Sequence, residues 1–159
     1  MVGRVSQEVI LGRRACSGPD PKNTTGGRSE SEVPFIQELI EQVRNGTMEV
    51  KERAASLLET LAEQNSNADR EPLAKKIGMN SGVRPLCVLI RDGSPVAQEH
   101  AAAALARVAR VNRDYRLQII HSRALAPLAS MLRGGGELQE HAAATVASIS
   151  DIPEAQQTL

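Results

Sequence analysis

The chain has 159 residues, and 19 Lys and Arg balance 19 Asp and Glu, so its formal net charge is zero. That length suggests a single domain, and the even charge argues against a general nucleic-acid or membrane-surface binder, which would carry surplus positive charge. No apolar stretch approaches the roughly 18 residues of a transmembrane helix, and Phe35 and Tyr115 are the only aromatic residues, so any core must be aliphatic.

The opening stretch MVGRVSQEVILGRRACSG lacks the apolar core of a secretory signal. Its arginines would suit a mitochondrial presequence, and Glu8 counts against one. After Leu11 no period remains, and ACSGPDPKNTTGGRSESE reads as a disordered linker. Residues 1–32 are therefore expected to form a disordered tail, and residues 33–159 a repeat domain. Asn23-Thr24-Thr25 and Asn45-Gly46-Thr47 fit glycosylation acceptors, which mean nothing without secretion. Ser17, three residues after Arg14, has a weak kinase-type context. Cys16 and Cys87 form no metal or redox spacing, so a reducing interior is expected, either cytoplasm or nucleus.

From residue 35 the chain repeats itself, and such a period decides the fold. FIQELIEQVRNGTMEVKERAASLLETLA (35–62) is the most diverged copy. It places Ile36, Leu39 and Val43 under Val83, Leu86 and Ile90, at an offset of 47. GVRPLCVLIRDG (82–93) matches ALAPLASMLRGG (124–135) at an offset of 42, with Pro85 over Pro127. QEHAAAALARVA (98–109) matches QEHAAATVASIS (139–150) at an offset of 41.

Each copy has the same grammar. A first apolar stripe at i, i+3 and i+7 marks a one-sided helix. A Gly-containing turn ends it, and an Ala-rich helix follows, expected over 94–110 and 137–150. Shorter segments, SNADREPLAKKIGMN (66–80) and VNRDYRLQIIHS (111–122), precede two of the copies, with Asp69 and Asp114 suited to a first helical turn. The repeats are expected at about 34–65, 66–110 and 111–150, with the start of a further one at 151–159.

This unit resembles the armadillo repeat over about residues 34–159. The stretches that carry the likeness are NRDYRLQIIHSRALAPLASMLRGGGELQEHAAATVASIS and SGVRPLCVLIRDGSPVAQEHAAAALARVA, in which period, proline position and Ala–Leu rhythm agree with the family pattern. HEAT repeats, an alternative α-solenoid, lack the separate short first helix. The resemblance implies an all-α fold, a right-handed α–α superhelix of about three repeats. It further implies that the long third helices line a concave groove for an extended peptide or partner protein, with no shared catalysis.

On those third helices the family keeps an asparagine where this chain has Thr60, Arg107 and Ser148. Its nuclear-import receptors keep a tryptophan where this chain has Ser56, Ala103 and Ala144, so a receptor of that kind is not expected. Seven residues before the asparagine position lie Arg53, His100 and His141, on the same helical side. The expected groove is edged by Arg53, His100, Arg107 and His141 and floored by Ser56, Ala103 and Ala144. Cationic edges over small residues would suit an acidic peptide, because arginine pairs bidentately with carboxylates. The bland alternative is a solvated face without a ligand.

No catalytic, metal-binding or cofactor-binding residue is expected. His100 and His141 recur because the repeat does, and Cys87 in PLCVLI reads as a buried small hydrophobe. RGGGE (133–137) could cradle a phosphate before a helix, but it lacks the P-loop spacing and reads as a turn. The last long helix, HAAATVASIS, has no following partner. The chain is thus read as a fragment of a longer array or as one whose open end supports end-to-end self-association. The expected function is a non-enzymatic interaction module. The alternative is a recruiting or regulatory part of a larger protein such as a U-box ubiquitin ligase, since arrays resembling this one occur beside U-box domains in plants. Nothing in residues 1–33 resembles a U-box.

Overall fold

The computed structural model describes residues 27–64 and 72–157, and of residues 27–32 the backbone alone. Two compact units divide the chain, Met1–Val33 and Pro34–Leu159. The tail expected through residue 32 lies outside the described residues as far as residue 26, and so does Asp69. Residues 27–32, expected within that tail, instead open helix α1, Gly27–Asn45. GRSESE carries no apolar period, so nothing in its pattern announces a helix. Pro34 lies inside α1, where it can donate no backbone hydrogen bond, and the division between the units falls beside it.

All regular structure among the described residues is helical. α1 buries Ile36, Leu39, Ile40 and Val43, and α2, Met48–Glu63, buries Ala54, Ala55, Leu58 and Ala62. Then come two helix triplets. The first is α3, Leu73–Met79, α4, Val83–Asp92, and α5, Pro95–Val111. The second is α6, Arg113–His121, α7, Leu125–Met131, and α8, Glu137–Ile149. A one-turn α9, Pro153–Gln156, follows.

The local chemistry explains the boundaries. α1 and α4 both end on glycine: Gly46 N donates to Gln42 O and Gly93 N to Leu89 O, each at 2.8 Å. A Cβ on either glycine would overlap that same acceptor oxygen, so the repeated Gly has one steric cause. Ser94 caps α5, its Oγ accepting from Ala97 N at 3.2 Å, and Pro95 takes the first turn, where a missing N–H costs nothing. Asn112 caps α6 by accepting from Asp114 N at 3.1 Å.

α5 is the centre of the packing. It lies against α2 on one flank and α8 on the other, and also meets α3, α4 and α6. Its middle segment, Ala101 to Leu105, has no exposed surface, so at that level the helix is covered on every side. The successive stacking of long helices makes the unit an all-α solenoid.

Consecutive triplets also meet where Tyr115 of α6 reaches Gly78 of α3. The Tyr115 ring lies against Gly78, where a Cβ would overlap Cε2 and Cζ. Tyr115 is 7% exposed and has little room to retreat. Gly78→Ala is expected to destabilise the fold by about 1–3 kcal/mol, the usual cost of overpacking, read by thermal or urea unfolding. In a Tyr115→Leu background the cost should shrink. An equal cost in both backgrounds would remove the ring from the explanation.

Candidate functional site

The nine residues expected to form the groove lie on the three long helices: Arg53, Ser56 and Thr60 on α2, His100, Ala103 and Arg107 on α5, and His141, Ala144 and Ser148 on α8. Arg53, Thr60 and Ala144 are exposed, and Ser56, His100, Arg107, His141 and Ser148 are half-buried. Ala103 differs from the rest. It is fully buried, so it offers a ligand no surface. Its carbonyl instead accepts from Arg107 Nη1 at 3.1 Å.

Two of the four expected edge residues, His100 and Arg107, are committed within the protein. His100 Nδ1 sits 2.7 Å from Glu59 Oε2, with the two side chains 26% and 18% exposed. Arg107 Nη2 pairs with Glu63 Oε1, and Ser94 Oγ donates to Glu52 Oε1. Glu52, Glu59 and Glu63 stand seven and four residues apart, which aligns them on one side of α2. Their partners Ser94, His100 and Arg107 rise in the same order along α5. The two helices therefore run parallel, joined by a three-rung polar seam.

The junction of α5 with α8 is built differently. Thr145 is fully buried, and its Oγ1 reaches Ala102 O at 3.3 Å and His141 O at 2.9 Å. The position of α5 that corresponds to Glu59 is Ala106, so the His100 rung has no counterpart at His141. Among the described residues the His141 ring has no hydrogen-bonding or ionic partner, and neither does the Arg53 guanidinium. Below this junction Arg116 of α6 holds the end of α8: its Nη1 reaches Ser148 O at 3.2 Å and Asp151 Oδ2 at 2.8 Å, while its Nε is buried without a partner.

The hydroxyls at the asparagine positions are spent on their own helices. Thr60 Oγ1 donates to Ser56 O at 3.0 Å and Ser148 Oγ to Ala144 O at 2.8 Å. They can accept from a ligand but cannot reproduce a side-chain amide, which donates and accepts at once. Near the last rung, an open cavity of about 780 Å³ is lined by Ala62, Glu63, Ala74, Arg107, Arg110 and Val111. Arg110, Glu59 and Glu63 were not among the expected site residues. The acidic i, i+7, i+11 row on α2 was the available signal, legible only once α2 and α5 were set side by side.

Other chemistry is weak here. Burial pushes the Cys87 thiol up to about 12, the Ser122 hydrogen bond opposing it, so no thiolate nucleophile exists at neutral pH. The RGGGE turn leads into a first helical turn with Glu137 and Glu140, which would repel a phosphate. Arg91 hydrogen-bonds Asp92 and holds its carboxyl below the usual range, with Lys51 helping from α2. No group of three or more metal-ligating side chains occurs among the described residues. Among them no helix is long and apolar enough to cross a membrane.

No protein-family profile matches the sequence, and no curated protein does. Solved structures do. A computationally designed armadillo repeat protein for modular peptide recognition shares 25% identity at a TM-score of 0.63, over 78% of this chain and 51% of that one. A designed armadillo repeat protein in complex with the peptide (KR)4 shares 23% identity at a TM-score of 0.66, over 83% of this chain and 54% of that one. Another designed armadillo repeat protein gives 24% and 0.63, over 78% and 51%. This chain thus spans about half the length of the proteins it matches. Its fold is an armadillo-like repeat solenoid.

The His100–Glu59 rung carries a measurable coupling. A double-mutant cycle of Glu59→Gln and His100→Ala, read by urea unfolding, should give about 0.5–1 kcal/mol, the upper range for partly exposed pairs. Strict additivity would show that the rung contributes nothing.

Proposed function

We propose that this chain is a non-enzymatic scaffold that binds an extended peptide or partner protein along a groove formed by α2, α5 and α8. The observation that carries the reading is the stacking of α5 between its two counterparts, which sets equivalent side chains of successive repeats in a row. The likeness to proteins designed for modular peptide recognition supports it. The ligand-facing groups proposed are Arg53, Ser56, Thr60, Arg107, His141, Ala144 and Ser148, with His100 held back by Glu59. Ala103 acts through Arg107 rather than by contact.

An acidic peptide fits this row on one condition. Arg53 is uncommitted, but Arg107 must exchange Glu63 for a ligand carboxylate. The side chain of Glu63 is 52% exposed and free to swing into water, so that exchange is inexpensive. Extended acidic, neutral and basic peptides, titrated by fluorescence anisotropy, test the reading. The acidic set should bind best. Glu63→Gln should strengthen it by up to about tenfold, or 1.4 kcal/mol, by releasing Arg107, and Arg107→Glu should abolish the gain. Affinities indifferent to both substitutions would move the site elsewhere.

A second reading concerns α8. Its Ala143, Ala144 and Ala147 are exposed, whereas their counterparts on α5, Ala102, Ala103 and Ala106, are buried. The fold therefore contains an example of what such a face accepts: another Ala-rich long helix. End-to-end self-association through α8 follows. Sedimentation velocity should show an apparent mass that rises with concentration and returns to that of one chain in Ala143→Glu/Ala147→Glu. A mass independent of concentration removes this reading.

A further inference from the structure

The first rung of the polar seam has a property that peptide binding does not use. The chain has eight prolines, and Pro95 is the one directly preceded by a Ser or Thr, namely Ser94, with Arg91 three residues before it. Gly93 and Ser94 are both extended, at φ −81°, ψ 168° and φ −64°, ψ 161°. Arg91, Asp92, Pro95 and Val96 around them are exposed. Ser94 itself is half-buried. It stands as an extended residue directly before a proline that opens a helix, the sequence form a proline-directed kinase selects, in a turn whose flanking side chains are exposed.

We propose that Ser94 is a phosphorylation site for a proline-directed Ser/Thr kinase, and that the modification opens the α2–α5 seam at its first rung. The transfer uses ATP as co-reactant. The bond from the γ-phosphorus to the bridging oxygen of ATP breaks, a bond from that phosphorus to Ser94 Oγ forms, the hydroxyl proton passes to the base of the kinase, and ADP leaves. The product has lost the proton that Ser94 donated to Glu52. It also adds nearly two negative charges beside that carboxylate.

The cations shown beside the turn are already engaged, and Arg53, the residue after Glu52, is exposed. Arg91 and Lys51 act on Asp92, Arg91 through three hydrogen bonds at 2.7–3.1 Å, whereas the partner of Glu52 is the Ser94 hydroxyl itself. The phosphate retains the N-terminal end of α5, where anions are favoured, so α5 itself keeps its start. Glu52 is the group repelled. The loss therefore falls on the contact with α2, not on the helix that carries the modification.

The test uses the full chain, a proline-directed kinase and MgATP, with the site mapped by fragmentation mass spectrometry. One phosphate per chain should appear on Ser94 and be absent from Ser94→Ala and Pro95→Ala, both shown to be folded by circular dichroism. The phosphorylated chain should melt about 2–4 °C lower, with faster amide exchange at the start of α2, and Glu52→Gln should reduce the fall. A folded chain that takes no phosphate at Ser94, while a synthetic peptide of residues 88–100 does, overturns the assignment. So does a peptide that is not modified. Phosphate on Ser94 with unchanged melting and exchange overturns the opening of the seam.

Discussion

A long helix in this fold has two flanks to hide, and one neighbour can cover one of them. α5 is the helix for which both are covered, by α2 before it and α8 after it. The choice of residue follows from that position. Ala101 to Ala104 lie without exposed surface among neighbours that approach from several sides, and each methyl leaves a shallow surface that another helix can approach closely. Larger residues would restore apolar area but force the neighbours apart, because interiors packed to crystal-like density have no slack. Leu105 and Val108, also without exposed surface, supply the bulk that the alanines lack. Removing α5 would strip α2, α4 and α8 of the helix that each of them contacts most.

The same crowding explains how charge is distributed. Residues at the edge of a helix–helix contact are half-dry, where an unpaired cation is costly and a paired one is tolerated. His100 and Arg107 sit at such an edge and have carboxylates from α2. Arg53 and His141 lie on helices whose outer sides face fewer neighbours, and they remain uncommitted. The candidate face is therefore a mixture of tethered and free groups, and its electrostatics depend on the junction rather than on a count of cations.

What could be read from the sequence was whatever recurs within a copy. The Gly46 and Gly93 turns, Pro85 and Pro127 in matching first turns, and the Val83, Leu86 and Ile90 stripe are local patterns with local causes, and each lies where its chemistry predicts. α7 is shorter than the matched stretch 124–135 because its last turn loosens into the Gly134 segment, with Gly134 N bonded to Met131 O at 3.0 Å. What could not be read was whatever links one copy to another. Glu59 and Glu63 look like ordinary solvent-facing acids of an amphipathic helix until α5 is placed beside them. Ala103 looked like a groove floor because its position in the pattern was right. Its burial comes from the packing around α5, which a single helix cannot reveal. The helical residues 27–32 escaped for a different reason, having no apolar side to register a period.

Ser81 and Arg123 occupy the bends before α4 and α7, at φ 61° and 57°, and neither is glycine. The two residues share no chemistry, and both are exposed. Left-handed backbone costs a non-glycine residue about 1–2 kcal/mol, so each bend is held by the elements it joins, not by its own side chain. A tandem duplication that copied such a bend would leave this position free to drift: the shape is inherited through its surroundings while the letter changes. Alignments of sequence alone would score the position as noise, although it marks the same joint in both units.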